Sequence, residues 1–239
     1  MTAPGIGPPA VRTDRSDWRQ ARWLVVVELA AMAAVIAVDK TVHLPFSETP
    51  FLLIAAWVAL RVRRVGWRSL GLGGGPGGGR ALMRSLAWGI AAGLALEGLE
   101  LFISQPLLIR LLGQPPDLSG FAAIRGNTKL LLLGLALIWS MAAFGEEMVW
   151  RGYLMNRVAD LGNRTRAAWA VSLVVVNIAF GFGHAYQGVT GIIDEGLMGA
   201  LLGALYLACG RRLAVPIIAH GVQDTVDIVL VFLGAYPTG

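Results

Sequence analysis

Lys129-Leu130-Leu131-Leu132-Leu133-Gly134-Leu135-Ala136-Leu137-Ile138-Trp139, followed after five further residues by Gly145-Glu146-Glu147-Met148-Val149-Trp150-Arg151-Gly152, decides how this chain folds. The apolar run meets no breaker until Gly162-Asn163, so it predicts one long helix from about Lys129 to Asp160, part in a membrane and part at its cytoplasmic rim. Two adjacent carboxylates then lie at or near membrane depth, where charge is costly unless it is paired or used.

The surrounding composition agrees. Of the 239 residues, 56% are hydrophobic and 15% charged, and the mean hydropathy is +0.64, outside the balance of a soluble domain. The formal charge of +5 is carried almost wholly by arginine, since Lys40 and Lys129 are the only lysines. These arginines fall mainly between apolar runs, as positive-inside loops do, so the expected partner is a lipid bilayer and not nucleic acid. Cys209 stands alone, which excludes an intramolecular disulfide. No cleavable signal is expected, because the first apolar run follows Arg12, Arg15, Arg19 and Arg22 and lacks a small-residue cleavage site close behind it.

The expected fold class is all-α, a polytopic membrane bundle of seven to eight transmembrane segments. Residues 1–20 read as a disordered tail, 21–127 as N-terminal transmembrane helices with a basic, Gly-rich loop at 61–80, and 128–235 as the core that carries the chemistry. Apolar runs cover about 23–38, 50–60, 82–103, 129–160, 167–182, 189–209 and 213–233, with Gln105-Pro106 expected to end the third. Arg157, Arg164, Arg166, Arg211 and Arg212 mark turns on the cytoplasmic side, where the N-terminus is also expected.

Three constellations stand out. In an α-helix, residues four apart share a face and neighbours diverge by about 100°, so Glu147 can pair with Arg151 while Glu146 turns elsewhere. Both carboxylates can instead serve a rim cluster with Arg151 and Arg157. Phe180-Gly181-Phe182-Gly183-His184 sets an aromatic wall beside an imidazole on the next helix, although a histidine bonded to a nearby carbonyl fits the same pattern. His220 and Asp224 are again four apart, able to fix a tautomer, bind a metal or clamp helices together, and Asp227 continues that face. If the helices flanking Asn163 form an antiparallel hairpin, Glu146 and His184 stand at similar heights above the turn, within reach of one water.

Glu146-Glu147-x-x-x-Arg151, Phe180-x-x-x-His184 and His220-x-x-x-Asp224, in this order, resemble the three motifs of the CPBP family, the CAAX prenyl proteases and bacteriocin-processing enzymes also called Abi. Arg151-Gly152-Tyr153, Gln187-Gly188 and Arg68-Ser69-Leu70-Gly71-Leu72 add to the resemblance, which is convincing over about 128–235. It implies an intramembrane endopeptidase of the bacterial inner membrane with a polar catalytic cavity open to the cytoplasm. It further implies that Glu146 is the general base, that His184 helps to hold the water, and that Glu147 and Arg151 support the geometry. His220 and Asp224 would stabilise the oxyanion, with Phe180 on the substrate side. Many family members carry Asn where this chain has Asp224. An ionised Asp cannot donate a hydrogen bond, so Asp224 must be protonated, orient His220 or ligate a metal.

The family is often labelled metalloprotease, and Glu146, His184, His220 and Asp224 are the residues that zinc would use here; a glutamate-activated water needs no metal. His-Glu-x-x-His, Gly-x-Gly-Asp and Gly-x-Ser-x-Gly are all absent. Two other readings compete with a protease acting on membrane-associated proteins or peptides. One is a proton-coupled transporter using Glu97, Glu100, Glu146, Asp194 and Glu195 as a relay, and the other is a non-catalytic immunity or assembly protein.

Overall fold

Every regular element among the described residues, 18–42, 47–73 and 78–237 of this computed structural model, is helical. That is the form in which an apolar chain satisfies its own backbone where no water can. Helices α1 (Arg22–Val42) and α2 (Thr49–Arg63) are followed by α3 (Gly78–Leu99), which runs through a π turn (Glu100–Ser104) into α4 (Gln105–Leu112). Next, α5 (Thr128–Leu137) passes into a π-helical segment (Ile138–Leu154) and then α6 (Met155–Leu161). The chain ends with α7 (Arg166–Gly183), α8 (Gly188–Ala208) and α9 (Ala214–Leu233). Most of the tail expected over 1–20, and residues 74–77 of the Gly-rich loop, lie outside the described residues.

Among the described residues, five stretches are long and apolar enough to cross a membrane: Gly78–Leu112, Thr128–Leu161, Arg166–Gly183, Ala185–Ala208 and Ala214–Leu233. Phe102, Leu111, Trp88 and Leu132 are each more than 60% exposed, an outward apolar face that suits lipid and not water. The expected seven to eight spans would also need α1 and α2. However, α2 has only 15 residues, and the 21 residues of α1 include Arg22, Glu28, Asp39 and Lys40.

Two local features depart from the sequence-based expectation. Gln105-Pro106 does not end the third span, because the π turn sends the Gln105 N–H back to the Glu100 carbonyl and leaves Pro106 in the first turn of α4, where a missing N–H is tolerated. The long helix from Thr128 to Leu161 is continuous as expected, but its 17 residues from Ile138 to Leu154 are π-helical. A π-helix closes i→i+5 bonds and takes more residues per turn, so neighbours diverge by less than the 100° of an α-helix. Glu146 and Glu147 lie in this segment.

The apolar core joins both halves of the chain. Met32, Leu52 and Leu60 from α1 and α2 cluster with Met148, Tyr153, Phe180, Tyr206 and Leu213. The three basic connections meet at one end of the bundle: the Leu213 N–H donates to the Gly71 carbonyl, and Arg68, Arg164, Arg211 and Arg212 line one cavity of ≈ 530 Å³.

Candidate active site

Glu147 is the centre of the site. Its carboxylate is fully buried, and its Oε1 accepts from Arg151 Nη1 at 2.7 Å and faces His220 Nδ1 at 2.9 Å. The first contact is the expected four-residue pairing, which persists in the π-helical segment. The second joins α9 to that segment and has no signature in the sequence, because it depends on which helix faces meet.

Arg151, also fully buried, is held from three sides. Its Nη2 donates to the Gly199 carbonyl of α8 at 2.7 Å and reaches Asn177 Oδ1 at 3.4 Å, while its guanidinium carbon lies 4.7 Å from the centre of the Phe180 ring. Gly199 has to be glycine for this approach, since a Cβ there would stand 2.7 Å from the Phe180 ring and 3.1 Å from the guanidinium. Asn177 was not singled out from the sequence. A lone amide in Val174-Val175-Val176-Asn177-Ile178 was the signal that could have found it.

Phe180 carries the chain of contacts to His184, whose ring lies 4.8 Å away, and Trp150 packs edge-on against Phe180 at 5.4 Å. His184 was expected inside a helix, but it caps the C-terminus of α7, where Gly183 is the last helical residue. Its Nδ1 lies 3.1 Å from the Phe180 carbonyl, which can only accept, so the proton sits on Nδ1 and Nε2 is left to face a ligand. Lys40 Nζ donates to the Gly183 carbonyl at 2.6 Å and ties α1 to this helix end.

Glu146 is half-buried, whereas Glu147 is sealed. Thr49 Oγ1 lies 3.5 Å from its Oε1, at a point where α2 packs against Gly145. The ionisable groups acting most strongly on Glu146 are His184 and His220, with Asp224 and Glu195 beyond them. His220 Nε2 faces Asp224 Oδ2 at 3.5 Å, so each ring nitrogen is turned to a carboxylate. Glu195 accepts from Gln187 Nε2 at 3.1 Å, and Asp194 accepts from Ser104 Oγ at 2.7 Å.

Of the four residues considered for zinc, His220 has both nitrogens turned to carboxylates, whereas His184 has only Nδ1 engaged, by a carbonyl. Among the described residues, the one group of three acidic, histidine or cysteine side chains with ligand atoms within 4.8 Å of one another is Glu97, Glu100 and Asp227, none of which belongs to the three motifs.

No curated protein and no solved structure matches the chain. Residues 128–226, which hold all three motifs, match the model of the Rce1-like family, the type II CAAX prenyl endopeptidases, in agreement with the resemblance carried by Glu146, His184 and His220.

Proposed function

We propose that this chain is an intramembrane endopeptidase that hydrolyses peptide bonds of membrane-associated proteins or peptides with a water activated by Glu146. The observation that carries the reading is the meeting of Arg151 and His220 on one oxygen of Glu147, which ties the first and third motifs into a single buried network. The family match over 128–226 supports the reaction class. A transport relay asks for acids strung along a path, whereas here the motif residues converge.

The roles follow from accessibility and partners. Glu147 is spoken for by Arg151 and His220, so the proton-accepting carboxylate is the half-buried Glu146. The Nε2 of His184 accepts a hydrogen bond from the water and so orients it, and Glu146 takes the water's other proton as the oxygen attacks the scissile carbonyl. The developing oxyanion is stabilised by the positive charge that His220 bears when both its nitrogens are protonated, each N–H being turned to a carboxylate. Collapse breaks the C–N bond, and Glu146 returns its proton to the leaving amine. Asp224, facing His220 Nε2, acts here by orienting that ring. No step requires a metal.

The test compares membrane proteomes of cells expressing wild type and Glu146→Ala. Fragments present only with wild type are expected and name the substrate. Identical fragments from both strains remove Glu146 from the mechanism.

A further inference from the structure

A second group of acids, outside the three motifs, meets between α3 and α9. Glu97 and Glu100 are three residues apart at the end of α3 and the start of the π turn, and so share a face; Asp227 comes from α9. Ligand oxygens of all three lie within 4.8 Å of one another. Glu97 is 4% exposed and Glu100 8%, while Asp227 is half-buried.

These carboxylates lack what the motif carboxylate Glu147 has. Gln223 Nε2 donates to Glu100 Oε2, but neither oxygen of Glu97 and not Oδ1 of Asp227 receives a hydrogen bond from outside the cluster among the described residues; Glu97 and Asp227 reach only each other. The described ion pairs bring no arginine, lysine or histidine to any of the three. Three formal negative charges with one amide donor do not persist in an apolar bundle unless a cation or shared protons compensate them.

We propose that Glu97, Glu100 and Asp227 bind one hard divalent cation of calcium size that clamps α3 to α9. The donors are all oxygen, which selects hard cations over zinc or copper. Three oxygens within 4.8 Å of one another can share one ion at calcium's coordination distance of about 2.3–2.6 Å. Magnesium dehydrates reluctantly and keeps several waters, which suits the buried Glu97 and Glu100 less well. A π turn beginning at Glu100 strengthens the case, because such local widenings of a helix recur at functional sites.

The site is distinct from the catalytic one. Asp227 lies seven residues beyond His220, about 10 Å further along α9. Fixing α9 against α3 also fixes the register in which α9 presents His220 to Glu147. The cation is therefore a positioning element and takes no part in hydrolysis.

The experiment uses the full-length protein in detergent micelles, stripped with a chelator and then desalted. Equilibrium dialysis against radioactive calcium is expected to show one saturable site per chain. Thermal unfolding is expected to shift upward with calcium, less with manganese and least with magnesium. Glu97→Gln, Glu100→Gln and Asp227→Asn, each of nearly unchanged shape, are expected to weaken calcium binding at least about tenfold, and any one of them that folds is decisive. Glu146→Ala is expected to bind calcium as wild type does. No saturable binding by wild type up to about 1 mM overturns the proposal and leaves the three acids to share protons. Wild-type affinity in the three variants, or loss of binding in Glu146→Ala, overturns it as well.

Discussion

Adjacent residues of one type have unlike surroundings in this protein. Glu147 is enclosed and doubly paired, whereas Glu146 is half-buried beside Thr49 and in the field of two imidazoles. His220 draws the same distinction for Asp224. With Glu147 on Nδ1 and Asp224 on Nε2, the ring is held at both ends, and an acceptor at position 224 is what the second hold requires. An Asn keeps a carbonyl oxygen for that purpose and adds an N–H that can reach an oxyanion. Asp224→Asn should therefore retain kcat within about tenfold, while Asp224→Ala should lose about 100- to 1000-fold, the usual loss on removing an oxyanion stabiliser. The measurement is cleavage of the substrate named by the proteome comparison. Equal loss in both variants would mean that Asp224 acts through its charge.

Helix packing explains how such a site holds together and how much of it was legible beforehand. Apolar runs located α7, α8 and α9 to within a residue or two, because in lipid the length of a run is the length of an element. The pairs four residues apart, Glu147 with Arg151 and His220 with Asp224, were legible for the same local reason. Three things were not: the π-helical stretch that carries Glu146 and Glu147, the place of His184 at a helix end, and the contacts of Arg151 with Gly199 and Asn177. The first has no sequence pattern that distinguishes it from the α-helix on either side. The others depend on how closely α7 and α8 approach, and Gly181 sets that distance: a Cβ there would stand 2.3 Å from the Ile192 carbonyl oxygen and 3.0 Å from Gly196 Cα. Backbone cannot move aside as a side chain can, so Gly181→Ala should cost about 1–3 kcal/mol and lower the unfolding temperature in detergent. Gly98, in α3 with nothing within 4 Å of its would-be Cβ, is the control. Gly98→Ala should be neutral or stabilise by up to about 1 kcal/mol.

At the scale of the whole molecule, the distribution of charge sets orientation. Arg68, Arg164, Arg211 and Arg212 come from three separate connections, yet all border one cavity at one end of the bundle. Arg164 and Arg211 lie against the same Trp169 ring, and Asp160 is shared by Arg157 and Arg164. By the positive-inside rule, this concentration of cations makes that end the expected cytoplasmic one. Cys209 provides an internal reporter, since it is the sole cysteine, caps α8 directly before Gly210 and Arg211, and is partly accessible. Burial pushes its thiol above the ordinary range and Arg212 only partly offsets this, so labelling belongs at mildly alkaline pH, where more thiolate is present. A membrane-impermeant maleimide should label wild type in inside-out vesicles and leave it unlabelled in sealed right-side-out vesicles, with Cys209→Ser blank in both. Labelling from the outer face alone would invert the orientation and place the basic end, with the connections that flank the motif helices, on the side that the positive-inside rule excludes.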